Sequence, residues 1–374
     1  DLETGHCRFC MSGHVGVIEG VAVDWDQHLA LTHDAAGLLI CWDLQTGQQR
    51  YLLFAHEGGV QDVEVDWARL RFVSVGPDSI KTWVKGQELW AWHLRGQCRL
   101  ERLLDCGLHC SWEDDRLAAC WSMAVHLWHL ETGQLLWVLR GHTADICGIE
   151  VKWDIFQSLS WGEDGLLLLW DMEHGQLLQR MVGHQEAITG AVCTWDPFRC
   201  LSFGDQHLRF WRYEGALSCH VLNGHTDLIC SAEVCWDREM ALTWSDDSTL
   251  KVWDLKERSC LHTLRGHVGP VWSAHVNWKD SQALSYSFAQ RSLMLWNLED
   301  GTKHEIFLEE EQTRNLSAPS WIGGAEVDWD SRRAVAWSLS DDRFLRAIDL
   351  RKLSRPKFLQ CCSTVSCAKL QSSE

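Results

Sequence analysis

The sequence predicts an all-β fold made of repeats, and three observations carry the prediction. Tryptophan recurs at two fixed positions about every 42 residues. Apolar residues alternate in short runs closed off by Gly, Asp and Ser, and no segment keeps a helical apolar period over ten residues or more.

The first tryptophan position is Trp25, Trp67, Trp112, Trp153, Trp195, Trp236, Trp278 and Trp329, at spacings of 42, 45, 41, 42, 41, 42 and 51. A second tryptophan follows each of the first seven after 16 to 18 residues: Trp42, Trp83, Trp128, Trp170, Trp211, Trp253 and Trp296. In the eighth unit Ile348 takes that place, 19 residues on. Within a unit, "LLLLW" and "TLKVW" read as strands, because aliphatic and β-branched residues suit a pleated, buried surface, and "GEDG" and "SDDS" read as tight turns. Four such runs fit one unit. With only 5 prolines and no Gly/Ser-rich linker, residues 1–374 read as a single domain.

Composition narrows the function classes. The chain is 46% apolar and 23% charged, enough to bury a sizeable core. A formal net charge of −18 argues against partners rich in phosphate, nucleic acid and anionic membrane surfaces alike. No run approaches 18 apolar residues and no basic-then-apolar leader opens the sequence, so neither a membrane span nor a signal peptide is expected. Most of the 17 cysteines sit in apolar runs such as "DICGIEV" and "LICSAEVCW", where Cys acts as a small buried hydrophobe. That usage implies a reducing, cytoplasmic setting.

A Gly-His pair opens most units, at Gly13-His14, Gly141-His142, Gly183-His184, Gly224-His225 and Gly266-His267, with Ala55-His56 a variant. Trp-Asp closes them at Trp42-Asp43, Trp170-Asp171 and Trp253-Asp254, with Trp296-Asn297 and Trp128-His129 as variants. In six units 27 to 29 residues separate the His from the Trp. With this joint spacing the chain resembles the WD-repeat β-propellers. The resemblance implies four-stranded antiparallel blades, eight of them here, with seven, the commoner number in the family, as the alternative.

It also implies that each blade ties a His, a Ser or Thr, an Asp and a Trp into one hydrogen-bonded chain. Two units match in full: His142, Ser160, Asp164, Trp170 and His225, Thr243, Asp247, Trp253. Two match with one-residue slips: His56, Ser74, Asp78, Trp83 and His184, Ser202, Asp205, Trp211. Elsewhere the pattern breaks. Ala36 stands at the acid position of the first unit and Gln290 in the seventh, the third lacks Gly-His and the acid, and the eighth keeps Ser338 and Asp342 without its Trp. Those blades are expected to rely on apolar packing.

The Trp of each "VDWD", "VKWD" or "VCWD" turn is expected to fold over its hairpin and against the next blade. A third set, Trp121, Trp161, Trp244 and Trp337, is expected in the core between blades. Residues 1–12 reproduce the segment after a Trp-Asp and would supply an outer strand, but residues 351–374 compete for that role. Residues 301–324 form a long acidic insertion carrying Glu309, Glu310 and Glu311, a candidate contact element.

No nucleotide-binding loop, HExxH or Gly-x-Ser-x-Gly is present, and the recurring His, Ser and Asp fall at structural positions, so no enzyme activity and no cofactor are expected. Cys7 and Cys10 make a C-x-x-C, and Cys98, Cys106, His109 and Cys110 cluster, but no paired spacing supports zinc. The expected function is a non-catalytic scaffold for protein partners, a subunit or adaptor of a larger assembly. The alternative is a phosphopeptide or degron receptor using Arg209, Arg291 and Arg343 near strand turns.

Overall fold

The structure, a computed structural model, describes residues 9–77, 79–93, 108–213, 216–287, 292–307, 322–338, 345–351 and 357–359. They form eight four-stranded antiparallel sheets, each with its strands hydrogen-bonded in chain order. The first sheet is Ile18–Asp24, Leu29–Asp34, Leu38–Asp43 and Gln49–Phe54. The rest occupy residues 62–93, 108–140, 146–182, 190–223, 229–265, 271–307 and 322–359. This is the strand pattern of an eight-bladed β-propeller, and eight rather than seven is the count. The sheets fall into two compact units, residues Phe9–Ile188 and the four sheets from Thr189 onward.

Burial within a sheet follows from position. The second and third strands, such as Leu29–Asp34 and Leu166–Asp171, are buried almost throughout, which explains their near-continuous apolar runs. Fourth strands such as Gln49–Phe54 and Leu135–Arg140 alternate between exposed and partly buried residues, as an edge strand with one wet face should. In seven sheets the first hairpin ends on a left-handed residue three positions after the turn tryptophan: His28, Leu70, Asp115, Phe156, Glu239, Ser281 and Arg332, at φ between 49° and 55°. Each such non-glycine residue costs about 1 kcal/mol, which the packing of the hairpin must offset.

That packing corrects one expectation: six turn tryptophans, Trp67, Trp112, Trp153, Trp236, Trp278 and Trp329, lie against the preceding sheet of their unit, not the next. Trp67 packs with Leu31 and Cys41 of the first sheet, Trp153 with Leu127 and Leu139 of the third, and Trp236 with Phe210 of the fifth. The reason is period two. Val63, Val65 and Trp67, like Ile149, Val151 and Trp153, are alternate residues of one strand and its extension, so they share one face, and that face meets the earlier sheet. Trp244 lies between the sixth and seventh sheets, as expected, and its Nε1–H donates to the Trp272 carbonyl at 3.2 Å. Trp161 is likewise buried, while the side chains of Trp121 and Trp337 lie outside the described residues.

At the C-terminal end, Lys357–Leu359 pairs with Leu345–Ala347 and is the fourth strand of the eighth sheet. A part of residues 351–374 therefore supplies that strand, while of residues 1–12, the first eight lie outside the described residues. Phe9 instead lies against Gly47 in the third turn of the first sheet, just as Tyr51, Trp90 and Trp137 lie against Gly86, Gly133 and Gly175 of the sheet that follows theirs. These glycines have φ between 67° and 80°, and a Cβ would meet the ring at 2.6 to 2.9 Å, so only glycine fits. Of residues 301–324, Lys303–Phe307 is a fourth strand and Ile322 opens the next sheet, while 308–321, with Glu309, Glu310 and Glu311, lie outside the described residues.

Candidate functional site

The hydrogen-bonded chains form largely where the sequence places them. In the fourth sheet Trp170 Nε1–H donates to Ser160 Oγ at 2.9 Å, Ser160 lies 2.9 Å from His142 Nε2, and His142 Nδ1 lies 3.0 Å from Asp164. In the sixth the same chain runs through Trp253, Thr243, His225 and Asp247 at 2.9, 2.8 and 2.7 Å. The donors fix one direction, Trp to hydroxyl to imidazole to carboxylate, with a neutral ring. Burial pushes the His142 and His225 rings down despite the neighbouring carboxylates. Burial would raise Asp164, but the Thr143 N–H and His142 outweigh it and hold the carboxyl below its ordinary value.

In the second sheet Trp83, Ser74 and His56 connect at 2.9 and 2.8 Å, His56 Nδ1 lies 3.1 Å from Ser79 Oγ, and Asp78 lies outside the described residues. In the fifth, Trp211 donates to Ser202 at 2.8 Å, His184 is buried, and Asp205 accepts the His207 N–H at 2.6 Å. The seventh keeps Trp296, Ser285 and His267 at 2.8 and 2.7 Å.

The first sheet corrects the reading of Ala36. A full network forms there through Trp42, Thr32, His14 and Asp34, at 2.7, 2.6 and 2.9 Å. Asp34 is fully buried and also accepts the backbone N–H groups of Val15, Gly16, Ala36 and Leu38. The third sheet, with Ala119 in place of the hydroxyl, follows the expectation of apolar packing: Trp128 lies near Trp92 and His126, with ring centroids 5.7 and 5.5 Å away. Among the described residues these side chains are engaged with one another in the blades' interiors.

Position by position, two further sets emerge. Three residues before the turn tryptophan stand Glu64, His109 and Glu150 in one unit and Glu233, His275 and Glu326 in the other. His109 Nε2–H donates to the Ile149 carbonyl at 3.0 Å and His275 Nε2–H to the Ala325 carbonyl at 2.8 Å, tying first strands of successive sheets together. Burial pushes Glu233 up to about 7 although it accepts the Val276 N–H. The second set comes from bulges near the start of five first strands, which put Glu19, Cys147, Cys230, Trp272 and Gly323 out of register. Around them the surface is apolar: Val268 is 71% and Trp272 54% exposed in one unit, Val15 84% and Val17 60% in the other.

Arg209 is buried, its guanidinium 3.7 Å from Asp205, and Arg291 and Arg343 lie outside the described residues. Among the described residues no group of three His, Cys, Asp or Glu is placed to hold a metal ion, and no helix is long and apolar enough to cross a membrane. Cys7, Cys98 and Cys106 lie outside them. A cavity of about 470 Å³ opens between the second and third sheets, beside Thr82, Trp112 and Leu89.

No protein-family model matches the chain, and no curated protein matches it. Among solved structures it is similar to the crystal structure of the computationally designed Ika8 protein, at TM-score 0.63 and 20% identity, over 90% of this chain and 97% of that one. At that identity the likeness speaks for the fold alone.

Proposed function

We propose that this chain is a WD-repeat propeller acting as a non-catalytic scaffold for protein partners, a subunit or adaptor of a larger assembly. One observation carries the reading. The polar residues of the repeat are spent on holding strands and sheets together, whereas the residues at the bulges differ from sheet to sheet and the surface beside them exposes Val15, Val17, Val268 and Trp272. Trp272 with Val268, on a rigid strand end, has the character of an interface anchor: a large aromatic on a preformed base. The net charge of −18 favours basic or neutral partner surfaces through steering. Buried thiols such as Cys120 and Cys200 suit a reducing, cytoplasmic setting. The phosphopeptide alternative is weakened by Arg209, whose charge already faces Asp205.

The test is affinity purification of the tagged chain from its native cell at moderate and high salt, beside Trp272→Ala. Stoichiometric partners that resist salt and are lost in the variant support the scaffold reading. A chain that recovers no partner at either salt, or turns over a substrate, overturns it.

A further inference from the structure

We propose that the cavity between the second and third sheets receives a lysine or arginine side chain from a protein partner. This rests on the scaffold reading and gives one contact a place and a chemistry. One lining position varies across the sheets. The residue before the second tryptophan is Cys41, Leu127, Leu169, Phe210, Val252, Leu295 or Ala347 in the other sheets, and Thr82 in the second. In the fifth sheet Phe210 fills this space by stacking on the turn tryptophan of the following sheet, Trp236, at 6.4 Å. Thr82, smaller than the Leu or Phe that stands there in four other sheets, lines a cavity of about 470 Å³ together with Trp112 and Leu89, the size of a ligand pocket.

Two independent features point to an occupant. The Thr82 side chain is 5% exposed and its hydroxyl has no hydrogen-bond partner, an arrangement that buried polar groups avoid unless something meets them. The charged lining is acidic: Glu113, Asp115 and Glu131 face Arg69 and Arg71. Both guanidiniums are engaged. Arg71 binds Asp115 at 2.6 Å and Asp66 at 3.2 Å and sits 5.3 Å over the Trp112 ring, while Arg69 donates to the Trp112 carbonyl at 3.0 Å. Among the described residues Glu113 and Glu131 carboxylates have no partner, so the cavity carries uncompensated negative charge. Leu89, Leu130 and the face of Trp112 offer an apolar wall for an aliphatic stem, and the carboxylates and the Thr82 oxygen accept from a cationic head. An anion would meet the two free carboxylates, and a purely apolar group would leave them and the hydroxyl unmet.

The full-length chain is titrated calorimetrically with the peptide acetyl-Gly-Gly-Arg-Gly-Gly-amide, its lysine counterpart, and a citrulline counterpart of the same shape without the charge. A basic peptide should bind with Kd of about 1 mM or tighter, and citrulline about tenfold more weakly. Thr82→Leu, which installs the residue three other sheets use, should melt at or above the wild-type temperature and lose binding. Glu113→Gln with Glu131→Gln, on exposed hairpins, should keep the fold and weaken binding about tenfold. Equal binding of citrulline, no binding of either basic peptide, or undiminished binding by both variants would overturn the proposal. Recovery of the same cellular partners by wild type and Thr82→Leu, with no peptide bound, overturns the cavity assignment and leaves the scaffold reading standing.

Discussion

His14 Nδ1 and Asp34 Oδ2 lie 2.9 Å apart, and this contact completes in the first sheet the network whose acid its turn sequence conceals. Asp34 is held from five sides: the His14 ring and the N–H groups of Val15, Gly16, Ala36 and Leu38. Asp34→Ala leaves those donors unmet in a buried place and should lower stability by about 3–5 kcal/mol. Ala36→Asp should not restore it in that background. Hydrogen exchange of the first-sheet amides, read beside a denaturant titration, checks both; wild-type protection in Asp34→Ala would refute the assignment.

Acid should loosen the networks before it protonates their carboxylates. The His142 and His225 rings are pushed below 6.5 by burial, so the unfolded chain takes up protons near 6.5 while the folded one resists. Stability is then fully present above that value and is lost as pH falls through the window below it. The melting temperature should drop between pH 7 and 5, and less steeply in His142→Gln with His225→Gln. Parallel slopes would rule these rings out as the source.

Glu233 works in the opposite sense. Its folded value of about 7 exceeds the ordinary 4.5, so the neutral form suits the fold; its contribution is present below 4.5 and lost as pH rises through 7. Glu233→Gln should therefore stabilise the protein at pH 8 by on the order of 2 kcal/mol, allowing for partial exposure, and change little at pH 4.5. Melting curves at the two pH values decide it; an equal effect at both would mean that packing, not ionisation, is responsible.

Arginine braces successive sheets in both units. Arg71 stacks over Trp112 and binds Asp115, and Arg199 stacks over Trp236 at 5.3 Å and binds Glu239 at 2.9 Å. Lysine keeps the charge but not the planar fork, so Arg199→Lys should cost about 1–2 kcal/mol. Arg199→Met, which keeps the stem, should show how much is packing. If lysine proves neutral by denaturant titration, the brace is only a surface ion pair.

The repeat, the strand order and the Trp-to-hydroxyl contacts were legible because each depends on residue type at a fixed spacing. Asp34 was not, because the acid slipped from four residues after the hydroxyl, as in Ser160 and Asp164, to two, as in Thr32 and Asp34, and a short turn lets either reach the imidazole. The direction of Trp67 and Trp153 was misread because spacing says where a ring starts, while strand parity says which face it joins. The cavity beside Thr82 was harder still: it is lined by residues of two sheets, and no single spacing in the sequence brings Arg71, Leu89, Trp112 and Glu131 together.

The step of three residues from the turn tryptophan to the left-handed residue, shared by seven sheets, has a bearing on how such a chain can change length. One residue inserted between Val63 and Trp67 would swing the indole to the opposite side of its sheet and strand Leu31 and Cys41 without cover, so the hairpins are closed to insertions and deletions. The joints between sheets carry no such parity. The spacing of 51 residues between Trp278 and Trp329, against 41 to 45 elsewhere, takes up its surplus beyond the Trp296 strand, between one sheet and the next. Inserted tags or epitopes should be tolerated at those joints and rejected in the hairpins, which makes the map of permissible grafts readable from the tryptophans alone.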